Sequence, residues 1–400
     1  MSRILFVTGH CPYGPSYGGM LRTLHIARIL RRCGELGMVL MPFRAIDATM
    51  LQKVRDEFDL RAVLHLDKRT SRAISSRWKR EIDPYSANTQ GYTLGDEGSV
   101  IMDEIVKDYD LIWFHGITIP NSLGRRSWPC SILDVDDIKS QVYTGIAKGS
   151  GKWLSRVKAV RQAILWRRRE RVLLDRFGIL NVCCETDKLS LGDDARIHTI
   201  PNGFEAPTEE PLRLPASPPR IGFIGTLEYP PNVDGLRWFI KQVWPLIKAV
   251  RKDVRLRLVG LDTDAGISGE GSDIDGLGFV EDVSTEIAGW ATSIVPINVG
   301  GGTRIKIAEA FSRKCPVVST SLGAYGYQLE SGRECLLADT PSDIANACLR
   351  LLDDRVYGDE LAQRAWQRFC TEWSWEAIAP NVIAAVDACL TRIGGNNVID

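Results

Sequence analysis

The apolar positions of this chain fall into two alternating patterns. Short runs rich in Val, Ile, Leu and Phe are typical of buried strands, and the longer segments between them have the spacing of helices. In the first half the strand runs are "RILFVTG", "LGMVLMPF", "AVLHLD", "DLIWFHG", "SILDVDD", "ILNVCCE" and "IHTIPNG". In the second half they are "RIGFIG", "RLRLVG", "IDGLGFV", "SIVPIN", "PVVSTS" and "ECLLAD". This alternation predicts an α/β protein whose parallel sheets are covered by helices on both faces.

The length of the chain predicts two domains. It has 400 residues, and single cores seldom grow beyond about 250–300 residues. A proline-rich stretch without periodicity predicts a linker over 201–219. We therefore predict two doubly wound, Rossmann-like domains, 1–200 and 220–377, whose strand ends face a central cleft that binds ligands. The helical segment 378–400 is expected to fold back onto the first domain; the alternative is that it caps the second.

Composition excludes several classes of protein. Fifty basic residues balance fifty acidic ones, so no overall positive field favours nucleic acid as a partner. Ten cysteines without a CxxC pair predict buried, reduced thiols. The opening "MSRILFVTGH" has too short an apolar run for a signal peptide, and no run is long enough to span a bilayer. These features predict a cytoplasmic protein, either free or peripheral at the inner face of the membrane.

The stretch "VGGGTRIKIAE" carries the strongest chemical signal. Its glycines let backbone approach a ligand closely, and the helix predicted to begin near Thr303 offers free N–H groups to an anion. Arg304 and Lys306 add two positive charges, so a phosphorylated ligand suits this site and a diphosphate suits it best. Neither the Walker spacing nor the GxGxxG fingerprint is present.

Glu309 follows this loop inside the predicted helix. It would lie about 9 Å along the helix axis from Thr303, within reach of a pair of ribose hydroxyls beyond the phosphates. The alternative is an ion pair with Arg313 at i+4 on a wet surface, which contributes about 0.3–0.5 kcal/mol.

Several segments, in order along nearly the whole chain, resemble one family. "VPINVGGGTRIKIAEAFSRKCPVVSTSLGAYGY" looks like the donor-site segment of the retaining glycosyltransferases of family 4, which have the GT-B architecture. "RIGFIGTLEYPPNVDGLRWFIKQVWPLI" resembles the opening of that family's second domain. "CCETDKLSL" with "IPNGFE" resembles the end of its first domain, and "YGPSYGGMLRTLHIARILRRCGE" resembles its N-terminal loop and first helix.

The resemblance implies roles for residues of the second domain. Glu309 matches the second glutamate of the family's ExxxxxxxE motif, which holds the donor ribose. The first glutamate of that motif, which contacts the transferred sugar in other members, is replaced here by Gly301. The remaining donor-site positions are Gly302, Thr303, Arg304 and Lys306.

The loop "GTLEYPPN" lacks the Arg and Lys pair that many relatives carry. It offers Gly225, Thr226 and a helix start near Asn232 to the donor instead, and we hypothesise that Arg304 and Lys306 supply the missing charges. The alternative for Asn232 is a plain helix N-cap.

In the first domain, the resemblance implies that Gly18 and Gly19 belong to a loop near the donor diphosphate; the alternative is an ordinary flexible turn. His115 ends the strand run "DLIWFHG", and relatives carry a histidine there that contacts the donor sugar. It would hydrogen-bond sugar hydroxyls or stabilise charge near the leaving oxygen. The alternative is a histidine with a structural role.

The run "LDVDDIKS" places Asp134, Asp136 and Asp137 together. A carboxylate cluster can bind a metal, but the resemblance implies that cations and helix dipoles stabilise the diphosphate. We therefore expect no metal and no cofactor beyond the donor. A structural or acceptor-side role is favoured for these aspartates, with Asp137 on the acceptor side.

The segment 148–177 is strongly basic, and apolar residues recur along it at helical spacing: Trp153, Val157, Val160, Ile164 and Leu165. One interpretation is a helix that lies on anionic lipid. The alternative is a solvated helix whose apolar stripe packs on its own domain.

Together these features predict a retaining transferase that moves a sugar from a nucleotide diphosphate sugar to a hydroxyl acceptor, such as a lipid-linked glycan. The expected setting is surface polysaccharide or glycolipid biosynthesis. The alternatives are a non-catalytic nucleotide-sugar binding or scaffold protein, and an epimerase or hydrolase of the same fold. A nicotinamide oxidoreductase is disfavoured because the dinucleotide fingerprint is absent.

Overall fold

The computed structural model describes the following residues: 1–14, 18–43, 45–68, 81, 83–85, 92–125, 127–149, 153–266 and 271–396. The chain divides into two compact units. The first unit comprises Met1–Pro201 and Ile378–Asp400, and the second comprises Asn202–Ala377.

The first unit is built on a parallel sheet. Its strands are β1 (Arg3–Thr8), β2 (Glu35–Leu40), β3 (Asp59–Val63), β4 (Leu66–Lys68), β5 (Tyr92–Leu94), β6 (Leu111–His115), β7 (Trp128–Asp134), β8 (Phe177–Val182) and β9 (Ile197–Thr199). Its helices are α1 (Gly18–Cys33), α2 (Ala48–Glu57), α3 (Asp96–Val106), α4 (Thr118–Ser122), α5 (Lys139–Lys148), α6 (Trp153–Glu170), α7 (Leu173–Arg176) and α8 (Glu185–Leu191).

Seven of these strands form one sheet in the order β3-β2-β1-β6-β7-β8-β9. The strand order reverses direction between β1 and β6, which is the switch point where doubly wound sheets bind ligands. In the register of these two strands, Thr8 lies opposite His115 at their carboxyl ends. The central strands are apolar and buried on both faces, as their continuous hydrophobic runs predict.

The second unit repeats this plan. Its strands are β10 (Arg220–Ile224), β11 (Arg255–Val259), β12 (Ile274–Gly276), β13 (Trp290–Val295), β14 (Val317–Ser319) and β15 (Leu336–Leu337). Its helices are α9 (Pro230–Trp238), α10 (Trp244–Val250), α11 (Thr263–Gly266), α12 (Ser284–Ala288), α13 (Ile305–Ser312), α14 (Pro341–Asp353) and α15 (Arg355–Arg368), with π-helical turns at Phe239–Val243 and Phe369–Trp373. The last helix, α16 (Trp375–Asn396), begins here and continues into the first unit.

The six strands of the second unit pair in the order β12-β11-β10-β13-β14-β15, all parallel. The order reverses between β10 and β13, so the loops after these two strands are the expected ligand-binding loops. The sequence places "GTLEYPPN" after β10 and the glycine-rich stretch after β13.

Each strand run quoted from the sequence overlaps an observed strand. The sequence did not predict β5, which pairs antiparallel with β4 outside the main sheets. Residues 202–219 contain no helix or strand, but they are bonded to the second unit. For example, the Leu214 amide donates to Ala288 O at 2.8 Å, and Arg213 pairs with Asp359 at 2.7 Å.

Residues 378–396 pack with the first unit. Asn381 of α16 donates through Nδ2 to Thr199 O at 3.4 Å. Within the described residues, no helix combines the length and the apolar character needed to cross a membrane.

Candidate functional site

In the second unit, small residues bring two ligand-binding loops together. A Cβ at Gly260, which follows β11, would lie 2.3 Å from Gly225 O. Gly260 also has a φ of +135°, so only glycine suits this position. Likewise, a Cβ at Gly235 of α9 would lie 2.2 Å from Pro296 O, just after β13. These close contacts hold the loop after β10 against its neighbours.

Asn232 connects the two loops by hydrogen bonds. Its Nδ2 donates to Thr226 O at 2.9 Å, and its Oδ1 accepts from Lys306 Nζ at 2.8 Å. The N-cap interpretation of Asn232 is wrong, because Tyr229 occupies the N-cap and Asn232 is the third residue of α9. Its amide instead fixes Lys306 beside Gly225, where an added Cβ would lie 3.0 Å from Nζ.

The glycine-rich loop precedes α13. Gly300 and Gly302 have φ values of +124° and +78°, which explains why glycine occupies both positions. The helix begins at Ile305 rather than near Thr303, because Thr303 and Arg304 remain outside it. Thr303 Oγ1 accepts a hydrogen bond from Asn202 Nδ2 at 2.8 Å.

Arg304 is a buried cation with unused hydrogen-bonding capacity. Its side chain is 7% exposed, and Nη1 donates to Gly301 O at 2.5 Å. Nε and Nη2 are buried without a hydrogen-bond partner among the described residues. Buried donors without partners are rare and costly. The backbone is fixed by Tyr327, whose hydroxyl donates to Arg304 O at 3.0 Å. The structure therefore presents two guanidinium donor groups that a ligand oxygen could satisfy.

Lys306 carries a perturbed charge. Burial, together with repulsion from Arg304, lowers its pKa to about 7, and attraction to Glu309 opposes this shift. Its ammonium group lies 4.3 Å from the centroid of the Phe223 ring. Such a lysine is only partly protonated near neutral pH and would gain its full charge beside an anion.

Glu309 lies one turn inside α13. Its carboxylate is 3.8 Å from Arg313 Nη1, which is longer than a hydrogen bond. Arg313 Nη1 donates instead to Glu309 O and to Ser312 Oγ, each at 3.3 Å. Burial raises the pKa of Glu309, against the attraction of Arg313 and Lys306. Among the described residues, no hydrogen bond reaches this carboxylate, which leaves it available to hydroxyl donors.

In the first unit, His115 occupies the switch point of the sheet. It is 3% exposed, and its Nδ1 lies 2.8 Å from Thr23 Oγ1 and 3.5 Å from Thr8 Oγ1. Thr23 Oγ1 is also 2.8 Å from Gly19 O, to which its only proton can be donated. Thr23 then accepts from Nδ1–H of His115, which fixes the tautomer. His115 Nε2 is buried without a partner among the described residues.

The surroundings keep His115 neutral. Burial lowers its pKa, and Asp134 and Asp136 only partly oppose this effect. The ring of His10 lies 5.3 Å from that of His115, and burial lowers the pKa of His10 to about 4. A neutral His115 protonated on Nδ1 offers an acceptor lone pair at Nε2.

The three aspartates of "LDVDDIKS" occupy different environments. Asp134 forms a buried, bidentate ion pair with Arg22, at 2.8 and 2.7 Å, and has a structural role. Asp136 has a φ of +61°; burial opposes its ionisation, but the positive charges of Arg22 and Lys139 hold its pKa below the ordinary value. Asp137 is a third exposed and lies 3.7 Å from Lys139. Within the described residues, no group of three or more His, Cys, Asp or Glu is arranged to hold a metal ion.

Gly18 and Gly19 are the first two residues of α1, so the prediction that they belong to a loop is wrong, and so is the alternative of a flexible turn. The preceding residues 15–17 of the quoted N-terminal stretch lie outside the described residues.

Some site residues were not found from the sequence. Thr8 and Thr23 carry no motif of their own, and they reach His115 only through the folded sheet. Gly260 and Tyr327 also carry no motif of their own, and their contacts with the site appear only in the folded structure. One signal was present in the sequence: Thr8 and His115 each stand directly before the glycine that ends their strand run. The fold then places the two strands side by side at the centre of the parallel sheet.

Comparisons with known proteins agree with this architecture. Residues 218–354 match the family Glycosyl transferases group 1. An uncharacterized 44.6 kDa protein in the cps region of Klebsiella pneumoniae is 28% identical over 128 residues. That match covers 29% of this chain and only 33% of the relative.

Two solved structures resemble nearly the whole chain. Sucrose-phosphate synthase from Thermosynechococcus elongatus matches with a TM-score of 0.68 and 14% identity, over 98% of this chain and 100% of that one. HepE from Anabaena, in complex with UDP-glucose, matches with a TM-score of 0.65 and 15% identity, over 97% of this chain and 100% of that one. The chain therefore has the GT-B fold, and its residues 218–354 are similar to the group 1 glycosyl transferases.

Proposed function

We propose that this protein is a retaining glycosyltransferase that moves a sugar from a nucleotide diphosphate sugar to a hydroxyl acceptor. The observation that carries the proposal is the pair of cations, Arg304 and Lys306, at the strand switch point of a group 1 glycosyl transferase domain. The UDP-glucose bound by HepE supports the class of donor. The cps-region relative supports a role in surface polysaccharide or glycolipid biosynthesis.

The donor diphosphate is held by charge in this proposal. Arg304 offers the N–H groups at Nε and Nη2, and Lys306 offers an ammonium group whose pKa of about 7 would rise beside an anion. The free amides at the start of α13 add a partial positive charge. Because these groups supply the charge that a metal would supply, we expect transfer without a metal ion or another cofactor.

Glu309 is assigned to the ribose of the donor. Its carboxylate is partly buried and free of hydrogen bonds among the described residues, so two hydroxyl groups can donate to it. In the first unit, we assign His115 to a hydroxyl of the transferred sugar, which donates to the lone pair of Nε2.

The reaction breaks the bond between the anomeric carbon and the diphosphate oxygen and forms a bond to the acceptor oxygen. The nucleoside diphosphate leaves with the bonding electron pair, and the proton of the acceptor hydroxyl passes to a departing phosphate oxygen. Attack on the face from which the phosphate leaves retains the anomeric configuration. The cations stabilise the charge that develops on the leaving group.

Calorimetric titration with UDP, GDP, ADP and NAD tests the donor site. We expect one nucleoside diphosphate to bind much more tightly than the others, which identifies the base. Binding of none of them would contradict the proposal. Release of that nucleoside diphosphate from its sugar conjugate only when an acceptor is added would distinguish a transferase from a binding protein, a scaffold or an epimerase.

Glu309→Ala should weaken binding of the nucleoside diphosphate by about 1.5–3 kcal/mol, because charge-assisted hydrogen bonds to the ribose are lost. Glu360→Ala, a substitution at an exposed glutamate of the same unit, is the matched control and should leave affinity unchanged. A 2′-deoxyribose ligand should lose affinity for the unmodified protein but not for Glu309→Ala. Unchanged affinity in Glu309→Ala, measured by calorimetry, would leave Glu309 only as a neighbour of Arg313.

Thr23→Val should lower kcat about tenfold with a smaller change in KM, because His115 then loses the acceptor that fixes its tautomer. Thr23→Ser should restore most of the rate. The matched control is Thr144→Val, since Thr144 makes the same bond to the carbonyl four residues earlier, at 2.7 Å to Ser140 O. Nitrogen NMR of His115 reports the tautomer directly, and an unchanged Nδ1–H signal in Thr23→Val would contradict this role.

A further inference from the structure

The helix α6 has apolar residues on two opposite faces. Its inner face packs on the first unit through Ala159, Ala163, Leu165 and Trp166, which are all buried. Its outer face carries four large apolar side chains, here called the outer stripe: Trp153 (70% exposed), Val157 (57%), Val160 (49%) and Ile164 (52%). The alternative that the stripe packs on its own domain is therefore wrong for these four residues and holds for Leu165 alone.

The outer stripe is continuous. Each residue of a helix turns by about 100°, so the four side chains fall within about 60° of one another. A shallow groove of about 570 Å³ runs along them and is bordered by Ala147 of α5. Leu154, 55% exposed, lies beside the stripe and widens it. Contiguous exposed apolar surface of this kind marks an interaction site in soluble proteins.

Cations flank the stripe on both sides. Counted by the same rotation, Arg156 and Arg167 lie along one edge. Arg161 and Arg168 lie along the other, and all four are exposed. Arg161 is paired with Glu81 at 2.7 Å. The only acidic residue of α6, Glu170, is buried and accepts from the Ser140 amide at 2.9 Å. The solvent face of this helix therefore combines apolar residues with cations and carries no acidic residue.

We propose that the outer stripe and its flanking cations dock this protein on an anionic lipid bilayer. Transfer of the aliphatic side chains from water is favourable only into an apolar phase. The cations at both edges can reach lipid phosphates while their aliphatic stems remain over the acyl chains. Trp153 at the end of the stripe suits the interfacial layer of a bilayer. The proposal goes beyond the glycosyl transfer assigned to the two strand switch points.

The charges disfavour two other occupants. A second copy bound symmetrically would place the same patch on both partners and so bring two sets of cations together. Single-stranded nucleic acid needs stacking platforms, whereas three of the four stripe residues are aliphatic.

Flotation of the full chain with lipid vesicles tests the proposal. Vesicles of phosphatidylcholine mixed with phosphatidylglycerol should bind the protein, and pure phosphatidylcholine should bind it much less. Val157→Ser combined with Ile164→Ser should lower binding about tenfold or more, because apolar burial is lost. The matched control is Leu212→Ser with Leu214→Ser, at exposed leucines of the second unit, and it should bind as the unmodified protein does.

Charge removal gives a second, independent test. Arg167→Gln with Arg168→Gln should lower binding to anionic vesicles about fivefold for each charge. Lys53→Gln with Arg55→Gln, at exposed cations of α2, is the matched control and should have little effect. Calorimetric binding of the nucleoside diphosphate should be equal in all of these variants, so that a failure to dock is separated from a failure of the donor site.

Three results would overturn the proposal. The unmodified protein could fail to float with anionic vesicles. The serine variant of the stripe could float as its control does, which would reduce the interaction to non-specific charge attraction. Sedimentation without lipid could reveal a dimer that the serine variant abolishes, which would assign the stripe to a second copy.

Discussion

Replacing Arg304 and Lys306 with methionine should weaken nucleoside diphosphate binding by roughly 100- to 10,000-fold, because two charge-assisted contacts of about 1.5–3 kcal/mol each are lost. Binding of the plain nucleoside should change little, since neither cation is assigned to the base or ribose. Methionine keeps most of the side-chain volume and removes the charge. Calorimetry of the two ligands on the same variant measures the difference.

The control for this variant removes two charges elsewhere in the same unit. Lys252→Met with Arg355→Met alters exposed cations and should leave both affinities unchanged. Equal weakening of nucleoside and nucleoside diphosphate by the Arg304 and Lys306 variant would contradict the phosphate assignment. A Tm lower than that of the control would show that the variant is destabilised, and its weaker binding would then reflect loss of structure.

We expect Tm to rise in this variant, because the buried charge of Lys306 destabilises the folded protein. Its pKa is about 7 in the folded protein against 10.5 for an ordinary lysine. Between these values the unfolded chain binds more protons, so the contribution of Lys306 to the free energy of unfolding rises with pH through this window. Below about pH 7 the cost is fully present. Lys306→Met should therefore raise Tm most at low pH, and the gain should shrink as pH approaches 10.5.

The same pKa makes donor binding depend on pH. Only protonated Lys306 stabilises a diphosphate, so affinity should fall as pH rises above about 7, by tenfold per pH unit at most. At pH 8, binding should therefore take up a proton. Lys306→Met should abolish this uptake, which calorimetry in buffers of different ionisation enthalpy detects. The binding site thus contains a lysine whose positive charge is unfavourable without ligand and is stabilised by the bound diphosphate.

The sequence predicts the sheets better than it predicts the contacts at their ends. Hydrophobic runs identify parallel strands because both faces of such strands are buried. A switch point joins residues far apart in the chain, as Thr8 and Thr23 are from His115. Such contacts follow from strand order, and strand order is not encoded in any local pattern. Asn232 shows the same limit: asparagine is a common N-cap residue, but the N-cap of α9 is Tyr229, three residues earlier.

The helix α6 shows why periodicity alone could not decide which of its apolar residues are buried. Apolar residues on one face of a helix normally mark the side that is buried. Here Trp166 marks the buried side, and Ile164 belongs to an equally apolar side that faces solvent. The pattern contained both faces, and only the packing against the first unit distinguishes the core from the docking surface.

His115→Asn should lower kcat by about 100- to 1,000-fold with little change in nucleoside diphosphate affinity, because the acceptor at Nε2 is lost. Asparagine can still donate on the side of Thr23, where Nδ1 now lies 2.8 Å from Oγ1. His115→Gln places an amide oxygen nearer to the position of Nε2 and should keep more of the rate. Steady-state kinetics of both variants with the donor identified by titration measures this difference.

The pH profile separates this role from a structural one. Burial lowers the pKa of His115, so the ring is neutral at pH 7 and gains a proton only below 6.5. Protonation removes the acceptor, and kcat should therefore fall on the acid side with an apparent pKa below 6.5. That acid limb should be absent in His115→Gln. His198→Asn, at a half-buried histidine of β9, is the matched control and should keep both the rate and the limb. A rise in KM at constant kcat would instead make His115 a group that binds the ground state and the transition state equally.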